Sequence, residues 1–435
     1  MNKKSGKIFI LALMLVMSVS CGGNKSSLTP KSVVSITVTP ATSSIAPGTT
    51  QQFTATLAFF DKTTEDVTTS VTWSSSAASV ATISNASGSN GKATAVAAGT
   101  TTITATMSGV SGTATLTVVS TNAVGLNPTG IAIDASGNMW AANFGSNSVT
   151  EISSTGTVST FSAGSSGSSP SGIAIDSAGN IWVANYSSGT VVELSSSGTV
   201  VSTFSTSIGP GPRGIAIDSL GNVWITNQGG GTNPVGNTVT KLDSKGNVLG
   251  TFQVGFGPYG IAIDSSGNVW VSNYGSSGTL GNTVTELNSN GKVLGTFQVG
   301  SGPRGIAIDP SGNVWVANAG SDANPGNSVT VLNSGGSALG TFTTGTGPHS
   351  IAAETSGSVW VTNFGTTTSP GNTVIELSST GAVLNTLKVG NNPEGVAIDF
   401  AGNLWVSNYY DNTITLFKGK TTGTHFAPYS GPIWP

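Results

Sequence analysis

The sequence predicts an all-β protein in which a β-sandwich precedes a seven-bladed β-propeller. Two observations carry this prediction. Residues 32–119 contain short runs of alternating apolar and polar residues separated by turn-forming residues, the pattern of half-buried strands. The rest of the chain repeats one sequence pattern seven times at intervals of 42 to 46 residues, the length of a four-stranded propeller blade.

The composition fits a folded protein with many turns. Only 8% of the 435 residues are charged, and Gly contributes 60 residues. Disordered chains usually combine high net charge with few aromatic residues, whereas this chain has a net charge of −3 and nine Trp. A net charge of −3 gives no reason to expect nucleic acid as a partner.

The first 20 residues predict an export signal. Three lysines precede an apolar stretch at residues 8–17, and small residues follow it. That stretch is too short to span a bilayer. The only cysteine of the chain, Cys21, comes directly afterwards, so no disulfide can form within the chain.

This arrangement resembles a bacterial lipoprotein signal, in which the cysteine is acylated and becomes the first residue of the mature chain. The resemblance implies an exported bacterial protein that is lipid-anchored at Cys21, in the outer membrane or at the cell surface, with residues 21–31 as the lipidated linker. Ser18 stands where the usual leucine is found. The alternative is an ordinary secretory signal followed by an unrelated cysteine.

The segment at residues 32–119 predicts about seven short strands, the size of an immunoglobulin-like sandwich. Its motifs Ile-Thr-Val-Thr-Pro at 36–40, Val-Thr-Trp-Ser-Ser at 71–75 and Ala-Gly-Thr-Thr-Thr-Ile-Thr-Ala at 98–105 resemble those of group 2 bacterial Ig-like domains. The resemblance implies a spacer or adhesive module of a bacterial surface protein. We expect a spacer, since no residue pattern in this segment is catalytic.

The repeat occupies residues 122–430. Each copy begins with Pro-x-Gly-Ile-Ala-Ile-Asp or a close variant and carries a Trp nine residues after the first Ile or Val. These tryptophans are predicted to fill the space between neighbouring blades: Trp140, Trp182, Trp224, Trp270, Trp315, Trp360 and Trp405. The outermost strand of the seventh copy is predicted to come either from residues 425–429 or from the segment near residues 123–126.

The motifs Pro-x-Gly-Ile-Ala-Ile-Asp and Gly-Asn-x-Trp-Val resemble the NHL family of propellers, including the branch with the streptogramin (virginiamycin B) lyases. Strand directions place the Pro-x-Gly loops, the ends of the second strands and the following long loops on one face, here called the top face. Ligand sites of propellers tend to lie at the channel mouth on such a face, an expectation that rests on fold analogy.

The middle residue of Pro-x-Gly, here called the slot residue, differs between blades although its surroundings repeat. In chain order the slot residues are Thr129, Ser171, Arg213, Tyr259, Arg304, His349 and Glu394. The last five are predicted to form a polar ligand-binding pocket, although neutral variation at exposed positions would produce the same differences.

Three further positions recur. An Asn follows each Trp by three residues and is predicted to cap the top loops: Asn143, Asn185, Asn227, Asn273, Asn318, Asn363 and Asn408. The Asp that ends the first strand is predicted to form a turn. Third-strand carboxylates are predicted to face solvent: Glu151, Glu193, Glu286 and Glu376.

The resemblance to the lyases can be tested on their metal-dependent site. It implies a His in the slot and a Glu at the end of the second strand of the same blade, where this chain has His349 and Asn363. The other histidine, His425, lies near the C-terminus. Glu394 with Asn408 offers an alternative oxygen-ligand pair of the kind found in related lactonases. His349 and Glu394 are thus weak metal candidates; no cofactor is predicted, and Mg²⁺ or Ca²⁺ remains possible.

The sequence favours binding over catalysis. We expect a monomeric surface lipoprotein whose Ig-like domain is a spacer and whose propeller binds an envelope glycan, peptide or protein. Asn363 and Asn408 join the five polar slot residues as ligand-binding candidates, and the Gly-rich loops at 229–237, 275–282, 320–327 and 365–372 mark the favoured sector. The alternative is a divalent-metal-dependent lyase or lactonase with His349, Glu394 and Tyr259 as catalytic candidates.

Overall fold

The computed structural model describes residues 32–165, 167–205, 209–230, 233–276 and 278–419. Every regular element in these residues is a β-strand, and no helix among them is long and apolar enough to cross a membrane. The all-β prediction is therefore confirmed. The predicted signal peptide, Cys21 and its linker, and the candidate strand at 425–429, lie outside the described residues.

The first ten strands form three sheets around one core. Their bounds are β1 (Val33–Thr39), β2 (Thr42–Ile45), β3 (Thr50–Gln52), β4 (Thr54–Phe59), β5 (Thr64–Asp66), β6 (Thr72–Ser75), β7 (Ala81–Ile83), β8 (Lys92–Ala95), β9 (Gly99–Met107) and β10 (Val110–Val118). The sheet orders are β1-β4-β5, β2-β10-β9-β6 and β3-β8-β7. Phe53, Trp73 and Leu116 lie in the shared core. The strands outnumber the seven expected, and the Ig-like assignment stays a prediction.

The following 28 strands form seven four-stranded blades. Blades one to three consist of β12 (Pro128–Ile133), β13 (Met139–Asn143), β14 (Ser148–Ile152), β15 (Val158–Ser162); β16 (Pro170–Ile175), β17 (Ile181–Asn185), β18 (Thr190–Leu194), β19 (Val200–Phe204); and β20 (Pro212–Ile217), β21 (Val223–Gly230), β22 (Asn233–Leu242), β23 (Val248–Gln253). Blades four to six consist of β24 (Pro258–Ile263), β25 (Val269–Gly275), β26 (Leu280–Leu287), β27 (Val293–Gln298); β28 (Pro303–Ile308), β29 (Val314–Gly320), β30 (Pro325–Leu332), β31 (Ala338–Thr343); and β32 (Pro348–Ala353), β33 (Val359–Gly365), β34 (Pro370–Leu377), β35 (Val383–Lys388).

The seventh blade takes its outermost strand from the start of the propeller. It is built from β36 (Pro393–Ile398), β37 (Leu404–Asn408), β38 (Thr413–Phe417) and β11 (Ser120–Ala123). Ser120 is paired with Leu416 and Ala123 with Thr413 in antiparallel register. The closing strand thus precedes the predicted segment near 123–126 and moves the start of the propeller from residue 122 to Ser120. This pairing joins the two ends of the propeller, which leaves no open edge between first and last blades.

The repeated Trp of each blade is buried and hydrogen-bonded. Its exposure is 0% in six blades and 3% for Trp405. Trp140 packs against Ile173 and Ile181 of the second blade, which confirms the predicted role between blades. Each indole N–H donates to a carboxylate six residues earlier: Asp134, Asp176, Asp218, Asp264, Asp309, Glu354 and Asp399.

The Asp that ends the first strand has a second role that the sequence did not indicate. In the fourth blade, Oδ1 of Asp264 accepts the backbone N–H groups of Ser266 and Asn268, as a turn former does. Oδ2 accepts the Asn268 amide and the indole N–H of Trp270. One carboxylate therefore fixes both the turn and the buried Trp.

The third-strand carboxylates do not all face solvent, so that prediction was wrong for two of them. Glu193 is 8% exposed and Glu286 is 6% exposed. Each is paired across the sheet with the blade's Trp, and this register brings it close to the Asp that binds that Trp. Burial, reinforced by Asp264, raises the pKa of Glu286, because both effects oppose ionisation.

The third blade carries Lys241 at the position equivalent to Glu286. Its Nζ lies 3.5 Å from Oδ2 of Asp218 and donates to the Ser289 carbonyl at 2.8 Å. The positive charge of Lys241 is favourable beside the buried Asp218. In the fourth blade, Glu286 places a second negative charge beside Asp264 instead.

We expect Glu286→Gln to stabilise the propeller at pH 8 by roughly 0.5 kcal/mol, since it removes a like-charge pair with Asp264. A carboxyl whose folded-state pKa is raised contributes stability at low pH that is lost as the pH rises through that pKa. The gain should therefore shrink towards pH 4. Urea unfolding of wild type and variant at both pH values measures it, with the exposed Glu65→Gln as control; equal stability at pH 8 would refute the prediction.

The Gly before Pro-x-Gly in blades three to six packs against the neighbouring β-hairpin. At Gly257, where φ is +58°, a Cβ would collide with the Gly275 carbonyl oxygen. Gly302 and Gly347 have the same relation to Gly320 and Gly365. The corresponding residues of blades one, two and seven are Asn127, Ser169 and Asn392, also left-handed but with side chains.

Gly257→Ala should therefore lower the free energy of unfolding by roughly 3 kcal/mol, about 1 from the left-handed backbone and about 2 from overpacking. Gly189→Ala is the matched control, because Gly189 has a φ of +67° and a Cβ added there would meet no atom within 4 Å. Urea unfolding followed by Trp fluorescence should show a larger loss for Gly257→Ala. Equal losses would mean that the close contact costs nothing.

Candidate functional site

The slot residues surround the channel mouth on the top face. Six of them line a cavity of about 170 Å³ together with the Gly or Ser and the Ile or Val that follow: Thr129, Ser171, Arg213, Tyr259, His349 and Glu394. Arg304 lies in the same ring, with its guanidinium carbon 5.7 Å from the centre of the Tyr259 ring. The five polar slot residues thus converge, as the pocket prediction requires.

Close packing of the first strands sets this convergence. A Cβ on Gly172 would collide with the Arg213 carbonyl oxygen of the next blade, and one on Gly395 would collide with the Thr129 carbonyl across the ring closure. Hydroxyls of the second strand add hydrogen bonds to the same carbonyls, as Thr362 Oγ1 does to Glu394 at 2.8 Å. The backbone of each slot residue is therefore held by the preceding blade.

Four slot side chains form one polar chain. An Nη2 hydrogen of Arg213 is donated to Tyr259 Oη at 2.5 Å, and Tyr259 Oη lies 2.9 Å from His349 Nε2. Oε1 of Glu394 lies 3.7 Å from His349 Nε2 and 3.9 Å from Arg213 Nη2. The Arg213 guanidinium also stacks on the Tyr259 ring, 4.1 Å from its centre.

Burial controls the charge of this chain. Burial, aided by the positive charges of Arg304 and Arg213, holds the pKa of His349 well below its usual value, so the imidazole is neutral at pH 7. Burial also raises the pKa of Tyr259, which keeps its hydroxyl protonated. The phenol hydrogen can therefore be donated to Nε2 of His349, which places the imidazole proton on Nδ1.

Glu394 is 7% exposed, and its carboxylate makes no hydrogen bond with any residue in the described ranges. Burial raises its pKa to about 7, although Arg213 and Arg304 act in the opposite direction. Two guanidinium groups therefore face one half-ionised carboxyl, so the pocket carries a net positive charge at neutral pH.

Arg304 is the cation of the pocket with the most unused hydrogen-bonding capacity. Its guanidinium stacks beside the Tyr259 and Tyr274 rings, 5.7 and 5.2 Å from their centres. Within the described part of the chain it donates no hydrogen bond and forms no ion pair. A fork of donors held on two rings is suited to a carboxylate or another planar anion.

The Gly-rich segments of blades three to six are shorter as loops than predicted, because about half or more of each segment is strand. Their second and third strands continue past the recurring Asn, with pairs such as Gly275–Leu280, Gly320–Pro325 and Gly365–Pro370. These extended hairpins belong to the blades that supply Arg213, Tyr259, Arg304 and His349. The elaborated sector and most of the polar pocket therefore coincide.

Asn363 and Asn408 do not line the pocket, so their assignment as ligand-binding residues was wrong. Both are buried between the second and third strands, where their amides donate to Thr373 and Thr413. Their Oδ1 atoms accept the N–H groups of Gly345 and Gly390 in the preceding loops. Both cap top loops, the role that was predicted for all seven Asn residues of the series.

Sequence reasoning missed an aromatic series directly after those Asn residues. Five of the seven blades carry an aromatic side chain there: Phe144, Tyr186, Tyr274, Phe364 and Tyr409. Phe364 lies 5.4 Å from the His349 ring, and the Arg213 guanidinium lies 5.6 Å from the centre of Tyr186. Comparison of the position four residues after each Trp would have revealed the series.

The residues present do not fit a divalent metal ion. Asn363, which replaces the expected carboxylate, does not line the pocket. The positive charges of Arg213 and Arg304 repel a cation near His349 and Glu394. Within the described ranges, no three His, Cys, Asp or Glu side chains lie close enough together to hold a metal ion. The weak metal candidates His349 and Glu394 are therefore better described as parts of a polar pocket that also holds two guanidinium groups.

Comparisons with known proteins agree with this fold. The sequence pattern of the virginiamycin B lyase family matches residues 54–324, more than half of the chain. A virginiamycin B lyase structure from Staphylococcus aureus is 18% identical and covers 69% of this chain and 99% of its own, with a TM-score of 0.58. The structure of a catalytically inactive variant of that enzyme with quinupristin is 19% identical, covers 69% of this chain and 99% of its own, and has a TM-score of 0.58. A WD40 β-propeller domain is 12% identical, covers 70% of this chain and 96% of its own, and has a TM-score of 0.55.

A separate comparison finds an 81-residue match, 46% identical, to ice-binding protein 1 of Shewanella frigidimarina. The match spans 19% of this chain and 9% of the ice-binding protein. The similarity is therefore limited to one short segment of each protein.

We expect His349 to titrate well below the usual range of a histidine, with its proton on Nδ1 at neutral pH, because burial and the two arginines disfavour the imidazolium. Long-range ¹H–¹⁵N NMR spectra of the side chain report both properties, and His349→Ala assigns the signal among the two histidines of the chain. Arg304→Gln should bring the titration closer to the usual range. A wild-type midpoint near pH 6.5 would contradict the assigned charge state.

Proposed function

The chain belongs to the virginiamycin B lyase family, and from that premise we propose that its propeller binds a small ligand with an anionic group at the channel mouth. The observation that carries the proposal is the convergence of Arg213, Tyr259, Arg304, His349 and Glu394 around one cavity. Two guanidinium groups and a largely buried carboxyl of raised pKa favour an anion over a cation.

Binding without turnover is the function that the pocket supports best. The resemblance to the lyases implies a carboxylate from the second strand beside the slot His, and this chain has Asn363 with its amide committed to Thr373. Arg213, Tyr259 and His349 form a hydrogen-bonded series, and the His349 ring at its end also packs on Phe364. Such a preorganised pocket costs little conformational entropy on binding.

The proposed cellular setting follows from the N-terminal sequence. An export signal at 1–20 followed by Cys21 would leave a diacylated or triacylated chain at the bacterial envelope, and acyl chains contribute about 0.8 kcal/mol per buried CH₂ to membrane anchoring. The domain at 32–119 would then act as a spacer between the anchor and a monomeric propeller. Envelope glycans, peptides or proteins are the partners within reach.

Calorimetric titration of residues 22–435 with small carboxylates and with Mg²⁺, Ca²⁺ and Zn²⁺ tests the proposal. We expect carboxylates to bind, with at least a tenfold weaker affinity in Arg304→Gln, equivalent to about 1.4 kcal/mol. Phe400→Ala, at an exposed position outside the cavity lining, should keep wild-type affinity. Binding of a metal ion that disappears in His349→Ala, without carboxylate binding, would overturn the proposal.

Anion affinity should rise as the pH falls from 8 to 6. Glu394 has a pKa of about 7, so it loses its competing negative charge over this interval, whereas a ligand carboxylate of ordinary pKa stays ionised. Glu394→Gln should bind more tightly at pH 8 and show a flat profile. Titrations of wild type and variant at pH 6, 7 and 8 measure these affinities. If the affinity of the variant still rises as the pH falls, as in the wild type, Glu394 does not take part in anion binding.

A second candidate function is elimination or ester cleavage without a metal ion. It is favoured by a neutral His349 hydrogen-bonded to Tyr259 and by a carboxyl titrating near neutral pH, which is the range useful for acid–base catalysis. Incubation with a streptogramin B depsipeptide or simple lactones, followed by mass spectrometry, tests it. Turnover that is lost in both His349→Ala and Glu394→Gln would make this candidate the function, and unchanged substrates would eliminate it.

A further inference from the structure

A band of aromatic side chains lies above the charged pocket. Phe144 and Tyr186 have ring centres 6.3 Å apart, and Phe364, Tyr409 and Tyr410 form a second group with separations of 6.1 and 5.1 Å. Tyr274 lies between these groups in chain order, 6.0 Å from Tyr259. We name these six residues the aromatic rim.

The aromatic rim and the charged pocket form one surface. Tyr186 adjoins the Arg213 guanidinium, Tyr274 adjoins Arg304, and Phe364 packs on the His349 ring at 5.4 Å. Apart from Phe364, the side chains of the rim are partly or fully exposed. A ligand whose anionic group reaches the guanidinium donors therefore lies next to aromatic rings.

The polar groups of this surface require a ligand with both donors and acceptors. Arg213 and Arg304 offer donors to a carboxylate, whereas the Glu394 carboxylate and the Gln228 side chain near Arg213 offer acceptors to hydroxyl groups. Aromatic rings add flat apolar faces that bury the C–H face of a pyranose ring. A molecule with carboxylate, hydroxyls and flat C–H faces has the composition of an acidic sugar.

We propose that the ligand of this site is an oligosaccharide containing uronic acid, with one carboxylate at Arg304 and Arg213 and neighbouring sugar rings against the aromatic rim. The inference rests on the proposed anion-binding function and specifies its ligand class. Two of the extended hairpins, those of blades four and six, begin with the strands that carry Tyr274 and Phe364.

The test compares four probes in calorimetric titrations of residues 22–435: galacturonic acid, tetragalacturonic acid, neutral cellotetraose and a tetraglutamate peptide. Tetragalacturonic acid should bind at least tenfold more tightly than the monomer, because only the tetramer reaches the rim. Cellotetraose and tetraglutamate should bind at least tenfold more weakly than tetragalacturonic acid, since one lacks the carboxylates and the other lacks the sugar rings.

Variants separate the rim from the pocket. Tyr186→Ala should weaken tetramer binding about tenfold with little effect on the monomer, and Tyr186→Phe should retain it because the ring face is kept. Phe400, which is 60% exposed on a first-to-second-strand turn of the opposite face, gives the matched control Phe400→Ala. Thermal unfolding of each variant checks that the fold is intact.

The outcomes distinguish the two proposals. If the monomer and tetramer bind equally, or if tetraglutamate matches the acidic tetramer, anion binding stands and the saccharide inference is overturned. If neither the sugars nor simple carboxylates bind, both proposals fail. Loss of tetramer binding in Phe400→Ala but not in Tyr186→Ala would place the ligand on the other face and also overturn the inference.

Discussion

The propeller depends on one repeated interaction, the hydrogen bond from the buried Trp of each blade to the carboxylate six residues earlier. Without that acceptor, seven indole N–H groups would be buried unpaired, each at a cost of about 1–3 kcal/mol. The bond also fixes the hairpin between first and second strands, because the same Asp accepts the turn N–H groups. Glu354 makes it in the sixth blade, so the requirement is an acceptor at that position rather than one residue type.

The second constraint is the crowding of the seven first strands around the channel. Each slot residue is followed by Gly, or Ser350 in one blade, because the neighbouring backbone leaves little room for a side chain there. Crowding directs variation to the slot, where the chain can place Arg, Tyr, His or Glu without changing the scaffold. The pocket is therefore a consequence of the packing that closes the propeller.

A third relation links scaffold and site. In blades three to six, Gly before Pro allows the extended hairpin to pack close, and these blades also supply four of the five polar slot residues. The hairpins and the two guanidinium groups thus lie in one sector, whereas the aromatic rim takes its residues from blades one, two, four, six and seven. This asymmetry on a seven-bladed scaffold is the reason why we propose one ligand site rather than seven equivalent ones.

The sequence by itself determined the all-β class, the seven blades, the buried Trp and the five polar residues of the channel mouth, because strand alternation and repeat spacing are local properties of the chain. Only the tertiary structure decided which segment closes the seventh blade, since β11 and β38 are about 290 residues apart. It also decided the burial of Glu193 and Glu286, the exclusion of Asn363 and Asn408 from the pocket lining, and the contacts of the aromatic rim with Arg213, Arg304 and His349. These depend on which strands pack side by side, which the sequence alone does not specify.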